Sequence, residues 1–244
     1  WKIIRANCWK QDTRPEGWGQ GQTEVIDGSC YPFGWGNISF DDDHWPKAVE
    51  MRAIGNADDE AIGRGSIRPF PVLARRGQPN LISEMRSPER VFWSGKVQEV
   101  LSDQLPEYAY DLEPIGTSSK VEECEPGWNL VSSAGEGAAI SFVFDYHTGR
   151  PQIEIEAYGE EIIDIAVSER LPGEPSNEDA GPLGRVGPHA PANVMRYIAR
   201  PGVQTIEKFD WSAIRGLQVV VYNASKGLKL RSVQSRLVQY PVED

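Results

Sequence analysis

Long apolar segments are absent from this sequence, and basic residues are fewer than acidic ones. No run among the 244 residues approaches the length of a transmembrane helix, so we expect no membrane-spanning helix. Lys and Arg number 25 against 36 Asp and Glu, and the formal net charge is −11. Because such an acidic surface repels phosphate groups and anionic lipids, we expect neither nucleic acid nor a membrane as a partner.

Cysteine is also scarce. The three cysteines, Cys8, Cys30 and Cys124, include no CxxC pair. Their odd number leaves one Cys8–Cys30 bridge as an alternative, and we favour three reduced, mostly buried thiols. This count leaves a cytoplasmic, periplasmic or secreted location open. The first residue is Trp1, so we expect the chain to begin after processing or inside a larger protein.

The motifs of common catalytic and cofactor sites are missing. There is no G-x-S-x-G, no strand–GxGxxG–helix pattern and no His or Cys pair at zinc-ligand spacing, so we expect no cofactor and no metal centre. His44, His147 and His189 lie in turn-like contexts, which favours surface positions over a general base. Asp41–Asp43 offers oxygen ligands for calcium, but no glycine-spaced loop follows, so a capped turn is favoured.

Turn-forming residues, by contrast, are abundant. The 24 glycines and 18 prolines favour short strands joined by loops over a helix bundle. Apolar residues alternate with residues expected to face solvent in three runs, as in strands with one buried face: 140–146, 153–157 and 163–167. Turns at Gly149–Pro151 and Tyr158–Glu160 would make these a consecutive antiparallel set that needs a second sheet to cover it. Later in the chain, the apolar positions change from the even-numbered Leu228 and Leu230 to the odd-numbered Val233 and Leu237, which predicts a bulge near Arg231 and Ser232.

The order of these features resembles a known family. Phe144-Asp145 closes one strand, Gly149-Arg150-Pro151 follows, and Ser168-Glu169-Arg170-Leu171 closes the third run. With Met195–Asp244, in which Tyr240-Pro241 closes the last strand, this order resembles the β-sandwich before the catalytic barrel of bacterial α-L-rhamnosidases, which are glycoside hydrolases. The resemblance implies an all-β fold of two jelly-roll, galactose-binding-like sandwiches joined by a Pro-rich segment.

An earlier segment carries a second part of the resemblance. Phe40-Asp41-Asp42-Asp43-His44-Trp45 resembles an element of the galactose-binding-like sandwiches found in many glycoside hydrolases, with Asp43 in place of the usual Ser. We infer structural roles, with Asp42 in a capped turn and Trp45 filling a core edge. We predict a partial galactose-binding-like sandwich at 1–66, a Pro-rich linker at 67–90, and a second sandwich at 91–244.

The resemblance also implies a function for the parent protein. That protein would release terminal α-L-rhamnose with inversion, using water and two carboxylates on an (α/α)₆ barrel. The barrel lies downstream of the Tyr-Pro element in the family, so the barrel domain is missing here and we expect this chain to be non-catalytic by itself. A free-standing carbohydrate-binding or adhesion module is one alternative. A family member acting on another deoxy-sugar or a uronic acid is a second.

Loop aromatics are the candidate sugar contacts. Sugar rings pack on flat aromatic side chains while nearby polar groups bind the hydroxyls. Trp18, Tyr31 and Trp35 lie among loop glycines, so they are the predicted carbohydrate-binding residues. Core packing and loop anchoring are commoner reasons for such rings, and they stay open here. The partner that the resemblance implies is a rhamnose-containing glycan bound through the parent enzyme.

Arg215 is the last residue that the resemblance selects. It falls where the family has a Phe-Arg-Tyr element, which reads Ile214-Arg215-Gly216 here. A guanidinium carries five donors in a planar fork, which suits backbone carbonyls or a carboxylate. We predict an architectural ion pair between Arg215 and Glu169.

Overall fold

The structure, a computed structural model, divides the chain into two units. Trp1–Ala6 and Pro32–Asn80 form the small unit, and Asn7–Tyr31 and Leu81–Asp244 form the large unit. The residues described are 1–11, 13, 23–49, 77, 79–98, 114–116, 121–171 and 193–241. Much of the predicted linker lies outside these ranges, so the predicted boundaries after residues 66 and 90 stay a prediction.

The described residues form strands and no helix, which confirms the all-β prediction. No helix among them is long and apolar enough to cross a membrane. The strands are β1 Val25–Asp27, β2 Met85–Arg86, β3 Arg90–Gln98, β4 Pro114–Gly116, β5 Val121–Glu123, β6 Trp128–Leu130, β7 Glu136–Ala157, β8 Ile162–Ser168, β9 Val194–Ile198, β10 Gly202–Glu207, β11 Ser212–Tyr222 and β12 Leu228–Leu237.

Strand β7 organises the large unit. It has 22 residues, and its first half pairs with β3 and β11 while its second half pairs with β10 and β12. The predicted turn at Gly149–Pro151 is therefore wrong, because the strand continues through it. A Cβ atom on Gly149 would lie 2.4 Å from Ser235 Oγ and 2.8 Å from the Arg236 carbonyl oxygen. The glycine permits a close approach of β12 and does not reverse the chain.

The turn at Tyr158–Glu160 is confirmed, but it does not connect neighbouring strands. Gly159 has φ +112° and Glu160 has φ +71°, and the chain then enters β8. β8 pairs with β9 and β11, so β11 lies between β8 and the first half of β7. The prediction of a consecutive antiparallel set is thus wrong, because β7 and β8 follow each other in the chain but do not pair in the sheet.

Two layers of strands enclose the core. Every residue of β7 from Gly137 to Phe144 is buried, so this half of the strand is covered on both faces. Trp128 of β6 packs edge-on against Phe142, with ring centroids 5.0 Å apart. β6 belongs to the group of strands around β12 and the second half of β7, so that group covers the first half of β7. This is the predicted sandwich arrangement.

The predicted bulge in β12 is confirmed. The pairing of β12 with β7 shifts register between Leu230 and Ser232. Arg231, the extra residue, directs its guanidinium to Glu154 at 2.7 Å and to Glu156 at 3.2 Å. The glutamates that alternate with buried isoleucines in β7 therefore face a partly solvated charge cluster, as their two-residue period predicts.

Candidate functional site

Loops from several strand connections meet at one end of the large unit. In the sheet, Tyr222 pairs with Ile162 and Ile162 pairs with Ile198, so the connections beside these residues emerge together. They enclose a cleft of about 530 Å³, which we call the loop cleft. Its lining consists of Ser29, Tyr158, Gly159, Glu160, Glu161, Ala199, Arg200, Pro201, Asn223, Ser225 and Lys226.

The turn between β7 and β8 is held by a buried carboxylate. Glu161 is 2% exposed, and its two oxygens accept hydrogen bonds from the backbone N–H of Tyr158 at 2.7 Å and of Gly159 at 2.6 Å. Both acceptor atoms of Glu161 are therefore occupied by its own turn. The side chain of Tyr158, in contrast, is 62% exposed at the cleft.

The turn between β9 and β10 is fixed by Gln204. This buried side chain accepts hydrogen bonds from Tyr197 Oη at 2.8 Å and from the Arg200 N–H at 3.2 Å, and it donates to the carbonyl oxygens of Arg200 and of Gly202. Burial raises the pKa of Tyr197, so its hydroxyl stays a donor at neutral pH. Arg200 is thus presented to the cleft by a rigid backbone.

A short turn after β1 supplies another wall of the loop cleft. Asp27 accepts hydrogen bonds from Ser29 Oγ at 2.6 Å and from the Ser29 N–H at 2.9 Å. The bond from the Ser29 side chain lowers the pKa of Asp27, so this carboxyl group is ionised at neutral pH. The loop is therefore held as an Asx-type turn with Ser29 at the cleft.

Two of the predicted sugar-contacting aromatics, Tyr31 and Trp35, are described, and neither is among the residues that line this cleft. Tyr31 is half-buried and packs on Trp9, with ring centroids 5.6 Å apart, two residues after Ser29. Trp35 belongs to the small unit and is 58% exposed, in a turn where its N–H donates to the Pro32 carbonyl. Trp18 lies outside the described residues. Their assignment to sugar binding stays a prediction.

Sequence reasoning missed Tyr158, the aromatic residue that does line the cleft. The alternating run ends at Ala157, so the sequence pattern predicts only a turn at Tyr158. An aromatic residue beside Gly159 and Glu160 in a turn was a local sign of a binding position. The other loops that complete the cleft come from distant parts of the chain, so the sequence could not place them beside Tyr158.

The acidic run of the small unit is bound to a lysine. Lys2 Nζ lies 2.8 Å from both Asp42 and Asp43, and Asp41 accepts a hydrogen bond from the Asp43 N–H at 3.0 Å. Trp45 is half-buried and packs edge-on against Phe40, with ring centroids 5.5 Å apart. The structure thus gives Asp42 a salt bridge and Trp45 an aromatic contact.

His147 and the cysteines also differ from expectation. His147 lies within β7 rather than in a turn, and its Nε2 is 2.9 Å from Ser235 Oγ. Ser235 is fully buried, whereas His147 is half-buried. The three thiols are free, but Cys8 alone is buried, while Cys30 is exposed and Cys124 half-buried.

Arg215 has partners other than the predicted Glu169. Its Nη1 donates to the Phe144 carbonyl at 2.5 Å and lies 3.7 Å from Glu89 Oε2. The pairing of β11 with β7 shifts between Ile214 and Gly216, so Arg215 occupies a bulge on the β7 side. Glu169 follows the last residue of β8 and is exposed. The prediction of an Arg215–Glu169 pair is wrong, because the bulge directs the guanidinium away from β8.

A double-mutant cycle checks this correction. We expect Arg215→Ala to lower the free energy of unfolding by about 1 kcal/mol, because it removes one hydrogen bond to a carbonyl and a weak, partly exposed ion pair. Denaturant melts of Arg215→Ala, Glu169→Gln and the double variant should show additive effects. An interaction free energy above about 1 kcal/mol between Arg215 and Glu169 in this cycle would support the predicted ion pair instead.

Comparisons with known proteins give the fold a context. No protein-family model and no curated protein matches the chain. A solved GH78 family rhamnosidase of Bacillus sp. GL1 superposes with a TM-score of 0.70 at 14% identity, covering 99% of this chain and 42% of that one. The chain has the fold of rhamnosidase β-sandwich domains. It spans less than half the length of that rhamnosidase, and the resemblance at this identity is one of fold.

Two further rhamnosidases share less of the structure. An α-L-rhamnosidase from Dictyoglumus thermophilum has a TM-score of 0.49 at 14% identity, covering 91% of this chain and 19% of that one. A rhamnosidase from Klebsiella oxytoca has a TM-score of 0.35 at 14% identity, covering 66% of this chain and 30% of that one.

Proposed function

We propose that this chain is a non-catalytic β-sandwich segment of a glycoside hydrolase related to α-L-rhamnosidases. The shared fold supports a rhamnosidase-related segment. In the parent protein, an inverting helical barrel outside this segment would hydrolyse terminal α-L-rhamnose, and a rhamnose-containing glycan would be the partner. The division into residues 1–66, 67–90 and 91–244 belongs to the same proposal.

The carboxylates of the loop cleft carry the non-catalytic assignment. Glycoside hydrolysis requires two carboxyl groups that flank the scissile bond. Glu160 and Glu161 are the acidic residues among those that line the cleft, and both oxygens of Glu161 accept hydrogen bonds from the turn. Within this cleft, Glu160 is then the carboxylate available to a substrate, and one carboxylate does not make the catalytic pair.

An assay of the chain by itself tests this assignment. We expect the 244-residue chain to release no phenol from an aryl α-L-rhamnoside above the buffer rate, because the proposed catalytic pair lies on the barrel outside this segment and the loop cleft offers one accessible carboxylate. A longer protein that includes the barrel should hydrolyse the same substrate with inversion, seen by NMR of the first-formed anomer. Turnover by the 244-residue chain that is lost in Glu160→Gln would contradict the proposal.

A free-standing carbohydrate-binding or adhesion module is the second candidate. The observation in its favour is Trp35, whose ring is 58% exposed in a turn with Gly34 at φ +79°. The reading frame beyond Asp244 separates the two candidates. Continuation into a helical repeat region supports the hydrolase, and a stop codon supports the module.

A further inference from the structure

The loop cleft combines an exposed aromatic ring with polar groups of both hydrogen-bonding kinds. We propose that it is a binding site for a neutral, hydroxyl-rich saccharide, with Tyr158 as the stacking residue. Tyr158 is not one of the predicted aromatics, and neither Tyr31 nor Trp35 is among the residues that line the cleft. The inference does not depend on the proposed parent enzyme, because it concerns the cleft alone.

Tyr158 is suited to pack against a sugar ring. Its side chain is 62% exposed, although its backbone is anchored through the buried Glu161. Lys226 Nζ lies 5.5 Å from the centroid of the tyrosine ring, within cation–π distance. A flat amphipathic side chain with two χ angles loses little conformational entropy when a ligand binds.

The polar lining suits hydroxyl groups, which donate and accept at once. Arg200, Lys226, Ser225 and the amide of Asn223 supply donors, while Glu160 supplies an exposed acceptor. Two cations face two carboxylates in the lining, counting Glu161, so the cleft carries no formal excess charge. A neutral ligand therefore fits better than an anionic one, which would gain no net attraction.

The backbone around the cleft includes two non-glycine residues in the left-handed region. Glu160 at φ +71° and Asn223 at φ +58° are the non-glycine residues with positive φ in the part of the chain that the structure describes, and both line this cleft. Asn adopts this conformation readily, whereas for Glu it is uncommon, costs about 1–3 kcal/mol and is typical of ligand-binding sites. The cleft volume of about 530 Å³ also falls within the range of small-molecule sites.

Binding is tested on the 244-residue chain with three sugars, by saturation-transfer NMR and calorimetric titration. The probes are L-rhamnose, D-galactose and D-galacturonate, of which the last two differ in a single carboxylate. We expect saturable binding of at least one neutral sugar and weaker binding of D-galacturonate than of D-galactose. No saturable binding of either neutral sugar, or tighter binding of D-galacturonate than of D-galactose, would overturn the proposal.

Variants of two tyrosines locate the site. We expect Tyr158→Ala to weaken binding of the neutral sugar about tenfold, because the stacking surface is lost, and Tyr158→Phe to keep it. Tyr146→Ala is the matched control, since Tyr146 is 58% exposed on β7 and does not line the cleft. Thermal melts establish that each variant is folded. Equal weakening by Tyr158→Ala and Tyr146→Ala, or no effect of Tyr158→Ala, would overturn the assignment.

These results are distinguishable from those of the hydrolysis assay. Failure of sugar binding leaves the accessory role of the segment untouched, because that role is tested by turnover. Turnover by the 244-residue chain would contradict the accessory role. It would not affect the binding proposal, which is tested by the titrations of the Tyr158 variants.

Discussion

Replacement of Asp164 by alanine is expected to lower the free energy of unfolding by about 3–5 kcal/mol. Asp164 on β8 accepts two hydrogen bonds of 2.7 Å from Nε and Nη2 of Arg196 on β9, and the two residues pair directly across the strands. Both are buried, at 3% and 7% exposure. Loss of the carboxylate removes the two hydrogen bonds and the opposite charge that Asp164 gives the buried Arg196 guanidinium, at a place in the sheet where water cannot replace them.

Urea melts of a small set of variants measure this effect. The double replacement Asp164→Leu with Arg196→Met should recover much of the lost stability, because no unpaired charge remains in the core. Glu154→Ala is the exposed control, since the Glu154–Arg231 pair is partly solvated and should cost under about 1 kcal/mol. An Asp164→Ala loss as small as that of Glu154→Ala would show that the buried pair is not a major determinant of stability.

Truncation of Phe142 is expected to be similarly damaging. Its side chain is fully buried in the first half of β7, and Trp128 packs edge-on against it from the other layer. Phe142→Ala removes this contact between layers and leaves a cavity that the close-packed strands do not fill, so we expect a loss of about 3–5 kcal/mol.

The same melts include Phe142→Leu and Phe209→Ala. Phe142→Leu keeps most of the buried volume and should cost clearly less than the alanine variant. Phe209 is 69% exposed and contacts the Arg150 guanidinium at 5.6 Å from the ring centroid, so Phe209→Ala should cost under about 1 kcal/mol. If Phe142→Ala and Phe209→Ala cost the same, the contact between layers is not what stabilises the sandwich.

Local pattern alone predicted several features of the large unit. The two-residue period identified the buried face in the second half of β7, where isoleucines alternate with more exposed residues, because successive side chains of a strand point to opposite faces. The first half of β7 and most of β8 are buried on both faces, which the period did not predict. Tyr158–Glu160 was recognised as a turn, since glycine adopts the positive φ that it requires. The change of parity near Arg231 located the bulge in β12. Each of these features depends on residues that are close together in the chain.

Only the tertiary structure decided which strands pair and what lies at their ends. Gly149 reads locally as a turn, but it serves the close approach of Ser235, a residue far away in sequence. Arg215 binds the Phe144 carbonyl rather than Glu169 because a bulge against β7 turns it that way. The same holds for the loop cleft, whose members Tyr158, Arg200 and Lys226 meet through the register of β8, β9 and β11. The sequence by itself determined the alternation in the second half of β7, the turn at Tyr158–Glu160 and the bulge in β12, which are local, whereas pairing between distant strands assembled the site.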